Sequence, residues 1–258
     1  MRIGNLFNRE PPPPKLEREL RPEELREKMR DPNFLPTRED IFYAFKPEGH
    51  DVGKWRDFCF DKKNPVFEFL NQEFITAVSN HFARSAQSLG ASKDTPVTIL
   101  EVGAGNGRLS HFLQQKLDEI LPGKVNIIAT DSGKLGLKTD FPVETIGHKK
   151  ALEKYRPQIV VFSWMPYEVD VTNDFRTTRS VNEYILIGET NGQSCGDEWL
   201  TWGKKWPLDR DERKNIPPYI VDGFDREDLN GVGIHQISRM DDLGRRSYSG
   251  TVSFKRKK

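Results

Sequence analysis

The chain reads as an α/β protein: a doubly wound, mostly parallel sheet that ends in an antiparallel pair, with a helical extension ahead of it. Three observations carry this reading. From Val97 onward, short apolar runs alternate with helix-like stretches. The first of those runs, Val97-Thr98-Ile99-Leu100-Glu101-Val102, meets a loop with glycine at every second position: Gly103, Gly105 and Gly107. Two β-like runs, Gly233–Arg239 and Gly250–Lys255, follow near the end with a short polar link between them, which suggests a closing hairpin.

Composition bounds the rest. At 258 residues the chain has room for one sizeable domain plus an appendage. Lys and Arg number 40 against 39 Asp and Glu, so the net charge is +1 and no global field draws the chain to nucleic acid or to a membrane surface. The basic end, Phe254-Lys255-Arg256-Lys257-Lys258, reads as a solvated chain end. Cys59 and Cys195 are the only cysteines, too few for a disulfide framework or a zinc cluster, and they suit a reducing compartment. No apolar stretch approaches the ~20 residues that span a bilayer, and the N-terminus lacks the apolar core of a signal peptide. The expectation is a soluble, cytoplasmic protein, with the nucleus left open and no membrane partner.

Residues 1–40 read as a charged, proline-rich arm. Pro11 to Pro14 favour a stiff, extended connector. From Lys15 to Arg30 charge is dense, Leu16, Leu20, Leu25 and Met29 fall at helical spacing, and Pro22 suits a helix start. Residues 10–30 are the candidate stretch for docking on a protein partner. Residues 41–95 read as a helical, aromatic-rich segment packed on the core. Phe42, Tyr43, Phe45, Trp55, Phe58 and Phe60 are too apolar for a linker. Asn64-Pro65 offers a cap and a proline at the first helical position. Phe67, Leu70, Phe74, Val78, Phe82 and Leu89 then recur at helical spacing, which predicts one amphipathic helix of about six turns ending near Gly90.

Residues 96–258 hold the α/β domain. Its first strand is Val97–Val102. A helix follows from near Arg108, with Leu109, Phe112, Leu113, Leu117 and Ile120 on its core side, and stops at Pro122-Gly123. The second strand is Val125–Thr130, ending at Asp131, and a short third lies near Pro142–Thr145. A helix over Lys149–Tyr155 is stopped by Pro157. The fourth strand is Ile159–Phe162, and the fifth is Tyr184–Ile187, ending at Gly188-Glu189.

The glycine spacing selects among ligands. A loop free of side chains at a helix N-terminus lets a ligand lie against bare backbone. The dinucleotide fingerprint G-x-G-x-x-G has its last glycine where this chain has Arg108, and no G-x-x-x-x-G-K-[ST] stretch is present. NAD, FAD and ATP are therefore disfavoured. A strand-end acid followed by hydrophobic-G-x-G-x-G resembles motif I of the class I S-adenosylmethionine-dependent methyltransferases. The resemblance covers residues 97–190 well and 230–256 loosely. It implies a Rossmann-like, seven-stranded sheet whose sixth and seventh strands form the closing hairpin, and S-adenosyl-L-methionine as the cofactor.

The resemblance also implies site residues. Glu101 with Gly103, Ala104, Gly105, Asn106 and Gly107 would back the amino-acid end of the cofactor. Asp131, 30 residues after Glu101, would accept both ribose hydroxyls, because one carboxylate has two acceptor oxygens, with Ser132 beside it. His148 is the candidate for the adenine side, where the pattern's usual Asp is missing. Ser163 would touch the cofactor, and Trp164 would pack against the sulfonium region or wall the substrate pocket. The segment from Ser163 to Glu168 has one proline and departs from the N/D-P-P-Y/W signature of amino-group and adenine methyltransferases, so that chemistry does not carry over. Tyr167 and the loop from Glu189 through Trp199, Trp202 and Trp206 are candidates for the acceptor wall. Glu168 and Glu189 follow strand ends that would face the methyl group, and are the candidates to orient or deprotonate an amine or hydroxyl. No metal set is expected. Each role has a plainer competitor: an Asp after a strand often caps a helix, and tryptophans often only cover a sheet.

The functional expectation is methyl transfer to nitrogen or oxygen of a small molecule or a protein side chain. Neutral net charge disfavours a nucleic-acid acceptor. The competing reading is a methyltransferase-like module kept for binding or assembly, which the charged arm motivates. The fold class alone does not choose a substrate.

Overall fold

The computed structural model describes residues 20–45, 52–137, 139–190, 194–204, 208–241 and 248–257. The polyproline run, residues 10–19 of the candidate docking stretch, loop residues 191–193 and Trp206 lie outside them.

Four helices precede the sheet: α1 (Pro22–Lys28), α2 (Arg38–Phe45), α3 (Val52–Cys59) and α4 (Gln72–Ser88). The α/β part then runs β1 (Val97–Val102), α5 (Arg108–Ile120), β2 (Val125–Asp131), β3 (Glu144–Thr145), α6 (His148–Tyr155), β4 (Ile159–Ser163), α7 (Thr172–Thr177) and β5 (Glu183–Glu189). It closes with α8 (Pro218–Val221), β6 (Phe224–Asp228), α9 (Asn230–Gly233) and β7 (Ser249–Arg256). The strand order is β3-β2-β1-β4-β5-β7-β6. β1 to β5 run parallel, with Val97 opposite Val125 and Ile99 opposite Ile159. β7 lies antiparallel between β5 and β6. The doubly wound, mostly parallel seven-stranded sheet with an antiparallel C-terminal pair is thus the fold observed.

Alternation along the strands splits the core in two. Val97, Ile99, Val161 and Ile185 face α4 and α5. Leu100, Val102, Val160, Phe162 and Leu186 face the other layer, where Leu152, Phe175 and Phe254 pack. A third cluster holds the N-terminal aromatics: Trp55 stacks on Phe69 at 4.7 Å, with Phe45, Phe58, Leu25 and Ile237 around them. The aromatics of 41–60 therefore bury largely against one another, and α1 joins them through Leu25.

Two boundaries differ from the sequence reading, for one connected reason. The long helix begins at Gln72. Its cap is Asn71, whose Oδ1 accepts the Phe74 N–H at 2.8 Å and whose Nδ2 donates to the His235 carbonyl at 2.9 Å. Asn64 caps nothing there; its side-chain oxygen accepts from Arg30. Phe67 and Leu70 thus precede the helix, in an extended stretch. The sixth strand is Phe224–Asp228, not Gly233–Arg239. It is an edge strand with exposed Asp225, Glu227 and Asp228, so it lacks the apolar run that marks inner strands. The 233–239 run has another partner. Glu68 and Ser238 form an antiparallel bridge, Phe69 N–H donates to the Ile237 carbonyl at 2.8 Å, and Arg239 N–H donates to the Phe67 carbonyl at 3.1 Å.

Candidate functional site

In an open α/β sheet the ligand crevice forms where the winding reverses, outside the carboxyl ends of the strands. Here that point lies between β1 and β4, and a cavity of about 890 Å³ opens there. The β1 end contributes Glu101, Gly103, Ala104, Gly105 and Asn106, the β2 end Asp131 and Ser132, and the β4 end Phe162, Ser163 and Trp164. His148 opens α6 on the far side, while Phe67 and Glu68 come from the extended stretch before α4.

The three loop glycines have left-handed φ values of +69°, +56° and +81°. A Cβ on Gly103 would stand 2.7 Å from Phe162 Cζ, and one on Gly107 would stand 2.6 Å from Val143 Cγ2. A Cβ on Gly105 would meet nothing nearer than Leu137 Cδ1, at 3.6 Å. Packing thus explains Gly103 and Gly107, while Gly105 keeps the cavity wall bare. Gly107 is buried, does not line the cavity and sits at the N-cap of α5.

The two strand-end acids differ. Asp131 accepts the Gly105 N–H on Oδ2 at 3.0 Å and the Gly133 N–H on Oδ1 at 2.7 Å. Each oxygen keeps a further lone pair. Glu101 is almost fully buried and accepts both the backbone N–H and the hydroxyl of Ser110, tying β1 to α5. Burial lifts its carboxyl to about 7, against the opposing pull of the Ser110 hydrogen bonds. His148 Nε2 pairs with Asp174 Oδ2 at 2.8 Å, which orients the ring at the cavity edge.

Beyond β4 the backbone is strained. Trp164 has φ +60°, a conformation rare for a bulky residue, and its N–H donates to the Ile187 carbonyl at 2.8 Å. The indole Nε1 donates to Glu68 Oε2 at 3.1 Å, while the Ile237 N–H donates to Glu68 Oε1 at 3.1 Å. Burial pushes the Glu68 carboxyl well above the usual range, and the nearby Asp241 charge adds to it. Helical spacing of Phe67, Leu70 and Phe74 hides Glu68 in the sequence; an acid set between Phe67 and Phe69 is the signal available there.

Other sequence-predicted residues stand elsewhere. Glu168 is exposed, with φ +58°, and Tyr167 is 55% exposed; neither lines the cavity. Glu189 is buried at the end of β5, where it accepts the Ser194 N–H at 2.9 Å. Trp202 is fully buried and donates to the Cys195 carbonyl, so it packs in the second core layer. Trp199 is half-buried in the turn that Asp197 caps. Glu189, Trp199 and Trp202 do not line the cavity, because Cys195 and Trp202 pack into the second core layer.

Arg108 has a role of its own. Its buried guanidinium donates to the carbonyls of Met29 and Phe34, hooking the N-terminal segment onto the start of α5. Met29, Arg26 and Arg30 consequently stand at the cavity. Among the described residues no group of three or more His, Cys, Asp and Glu gathers as a metal site, and no helix is long and apolar enough to cross a membrane.

No protein-family model matches the chain, and no curated protein matches it. Solved structures do resemble it in shape. The CurJ carbon methyltransferase is 13% identical, with a TM-score of 0.40 over 71% of this chain and 54% of its own, so the chain spans about half of that structure's length. The plantazolicin methyltransferase BpumL, solved in complex with SAH, is 12% identical, with a TM-score of 0.34 over 92% of this chain and 98% of its own. A putative S-adenosylmethionine-dependent methyltransferase from Listeria monocytogenes is 13% identical, with a TM-score of 0.36 over 70% of this chain and 98% of its own.

Proposed function

We propose that the chain is an S-adenosylmethionine-dependent methyltransferase acting on nitrogen or oxygen of a small molecule or a protein side chain. The observation that supports it most is the joint presence of Gly105 and Asp131 on one cavity wall, with the Asp131 carboxylate held by the Gly105 N–H. The residues fit the cofactor. The bare backbone at Gly105 leaves room for its amino-acid end, and the free lone pairs of Asp131 suit two vicinal hydroxyls. His148, Ser132 and Ser163 supply polar contacts around the same cavity. A volume of about 890 Å³ lies high in the roughly 300–1,000 Å³ range of small-molecule sites, enough for a cofactor and an acceptor side by side.

When bound, the cofactor supplies an electrophilic methyl group on a positively charged sulfur. The chain's own residues bind and orient. Phe162 and Trp164 wall the crevice beside Ser163 and help exclude water, and most of the rate advantage of such a reaction comes from positioning. Glu168 and Glu189 do not line this cavity; of the carboxylates that do, Glu68 is the one hydrogen-bonded to Trp164, and it is the candidate to face an acceptor.

Calorimetry with S-adenosylmethionine and with NADH tests the reading. The expected result is binding of the first and not the second. A folded protein that binds neither sinks the methyltransferase reading and leaves the binding-module alternative.

A further inference from the structure

The wall of the cavity beside Trp164 holds a half-buried carboxylate, Glu68, without a cationic partner among the described residues. Glu68 lines the cavity together with Phe67 and Trp164, whose ring centroids lie 6.1 Å apart. Among the described residues no Lys, Arg or His forms an ion pair with it. The charge nearest in effect is another acid, Asp241. That acid is already satisfied, accepting from the N–H groups of Ser238 and Tyr248 and from the Ser249 hydroxyl. Glu68 itself accepts from the Ile237 N–H, the Trp164 indole and, at 3.5 Å, the Gln236 amide. All three donors are neutral. A carboxylate has about four lone-pair sites, so among the described residues three are met.

The packing around it already suits a cation. Arg239 lies over Phe67 with its guanidinium carbon 4.0 Å from the ring centre, and 5.4 Å from that of Trp164. Burying a charge without a counter-charge is costly, and a cationic ligand removes that cost on both sides.

We propose that Glu68 is a specificity-determining residue of the acceptor site and that the acceptor carries a basic amine, held by the Glu68 carboxylate beside Phe67 and Trp164. This deepens the methyltransferase reading and rests on it for the word acceptor, while the amine site itself stands on Glu68. The competing attraction is the cationic rim of Arg26, Arg30, Lys134 and Lys150, which would favour an acid.

Three probes with one aromatic body separate these: 2-phenylethylamine, 2-phenylethanol and 3-phenylpropanoate. Ligand-detected NMR measures their affinity for the full chain, with and without S-adenosylhomocysteine. The expected result is amine binding at least about tenfold tighter than alcohol or acid, with that preference lost in Glu68→Gln and alcohol binding unchanged. Equal or tighter binding of the acid or the alcohol overturns the proposal, as does no amine binding at millimolar concentration. So does an undiminished amine preference in folded Glu68→Gln. The wild-type ranking stands as a test even if that variant fails to fold. Calorimetry of S-adenosylhomocysteine alone reports the cofactor reading separately: an amine preference without cofactor binding keeps the site and removes the methyltransferase.

Discussion

The Asp131 carboxylate accepts the backbone N–H of Gly105 at 3.0 Å, so the acid at the end of β2 is tied to the glycine loop at the end of β1. The two groups that would meet opposite parts of one nucleoside ligand are thereby held in fixed relation.

Removing that acid should weaken the cofactor without unfolding the chain. On the proposed reading Asp131→Ala would lose charge-assisted hydrogen bonds to the ribose, with an expected cost of about 1–3 kcal/mol of binding. Calorimetry with S-adenosylhomocysteine measures it, and unchanged affinity removes Asp131 from the site.

The glycines should divide by phenotype. Gly103→Ala forces a Cβ against Phe162 at 2.7 Å and should lower the melting temperature. Gly105→Val places its side chain where only Leu137 stands nearby, so binding should fall by far more than steric packing alone would lower stability. Both substitutions share a φ penalty of roughly 1–2 kcal/mol, so the contrast lies in the ratio of binding loss to stability loss. Normal cofactor binding by folded Gly105→Val would show that the ligand lies elsewhere.

Arg108→Leu leaves the carbonyls of Met29 and Phe34 without their donor. The expected loss is about 2–4 kcal/mol, from two acceptors left unpaired beside a buried site. Denaturant unfolding gives the size, and limited proteolysis should cut between α1 and α2 first. Equal resistance to protease in variant and wild type would contradict the hook.

Glu101 carries a pH signature. Its carboxyl rises from an ordinary 4.5 to about 7, so between those values the folded chain holds a proton that the unfolded chain releases. Its contribution to stability therefore falls as pH rises through that window, by at most about 1.4 kcal/mol per pH unit. Glu101→Gln should abolish this slope. Parallel unfolding profiles of variant and wild type, measured from about pH 5 to about pH 7.5, would refute it.

Local patterns exposed much of the site. The glycine loop is contiguous in sequence, and Asp131 ends a clean apolar strand, so both were legible. Position at and after the end of β5 marks Glu189 and Trp202 as site candidates in the sequence. Trp202 instead donates its indole N–H to the Cys195 carbonyl within the core. Glu68 was hidden by helical spacing that Phe67 and Leu70 satisfy by coincidence.

The sequence by itself determined the alternation of strands and helices, the parallel sheet and the place of the glycine loop and Asp131 at neighbouring strand ends. Those depend on periodicity and on neighbours a few residues apart. Tertiary structure alone decided that Phe67–Phe69 pairs with Ile237–Arg239, that the polar run Phe224–Asp228 is the edge strand, and that Arg108 reaches Met29 and Phe34. Each joins segments distant in the chain or rests on an edge that water can satisfy. Backbone groups there choose partners by what the folded surface brings within reach, and no local pattern records that choice.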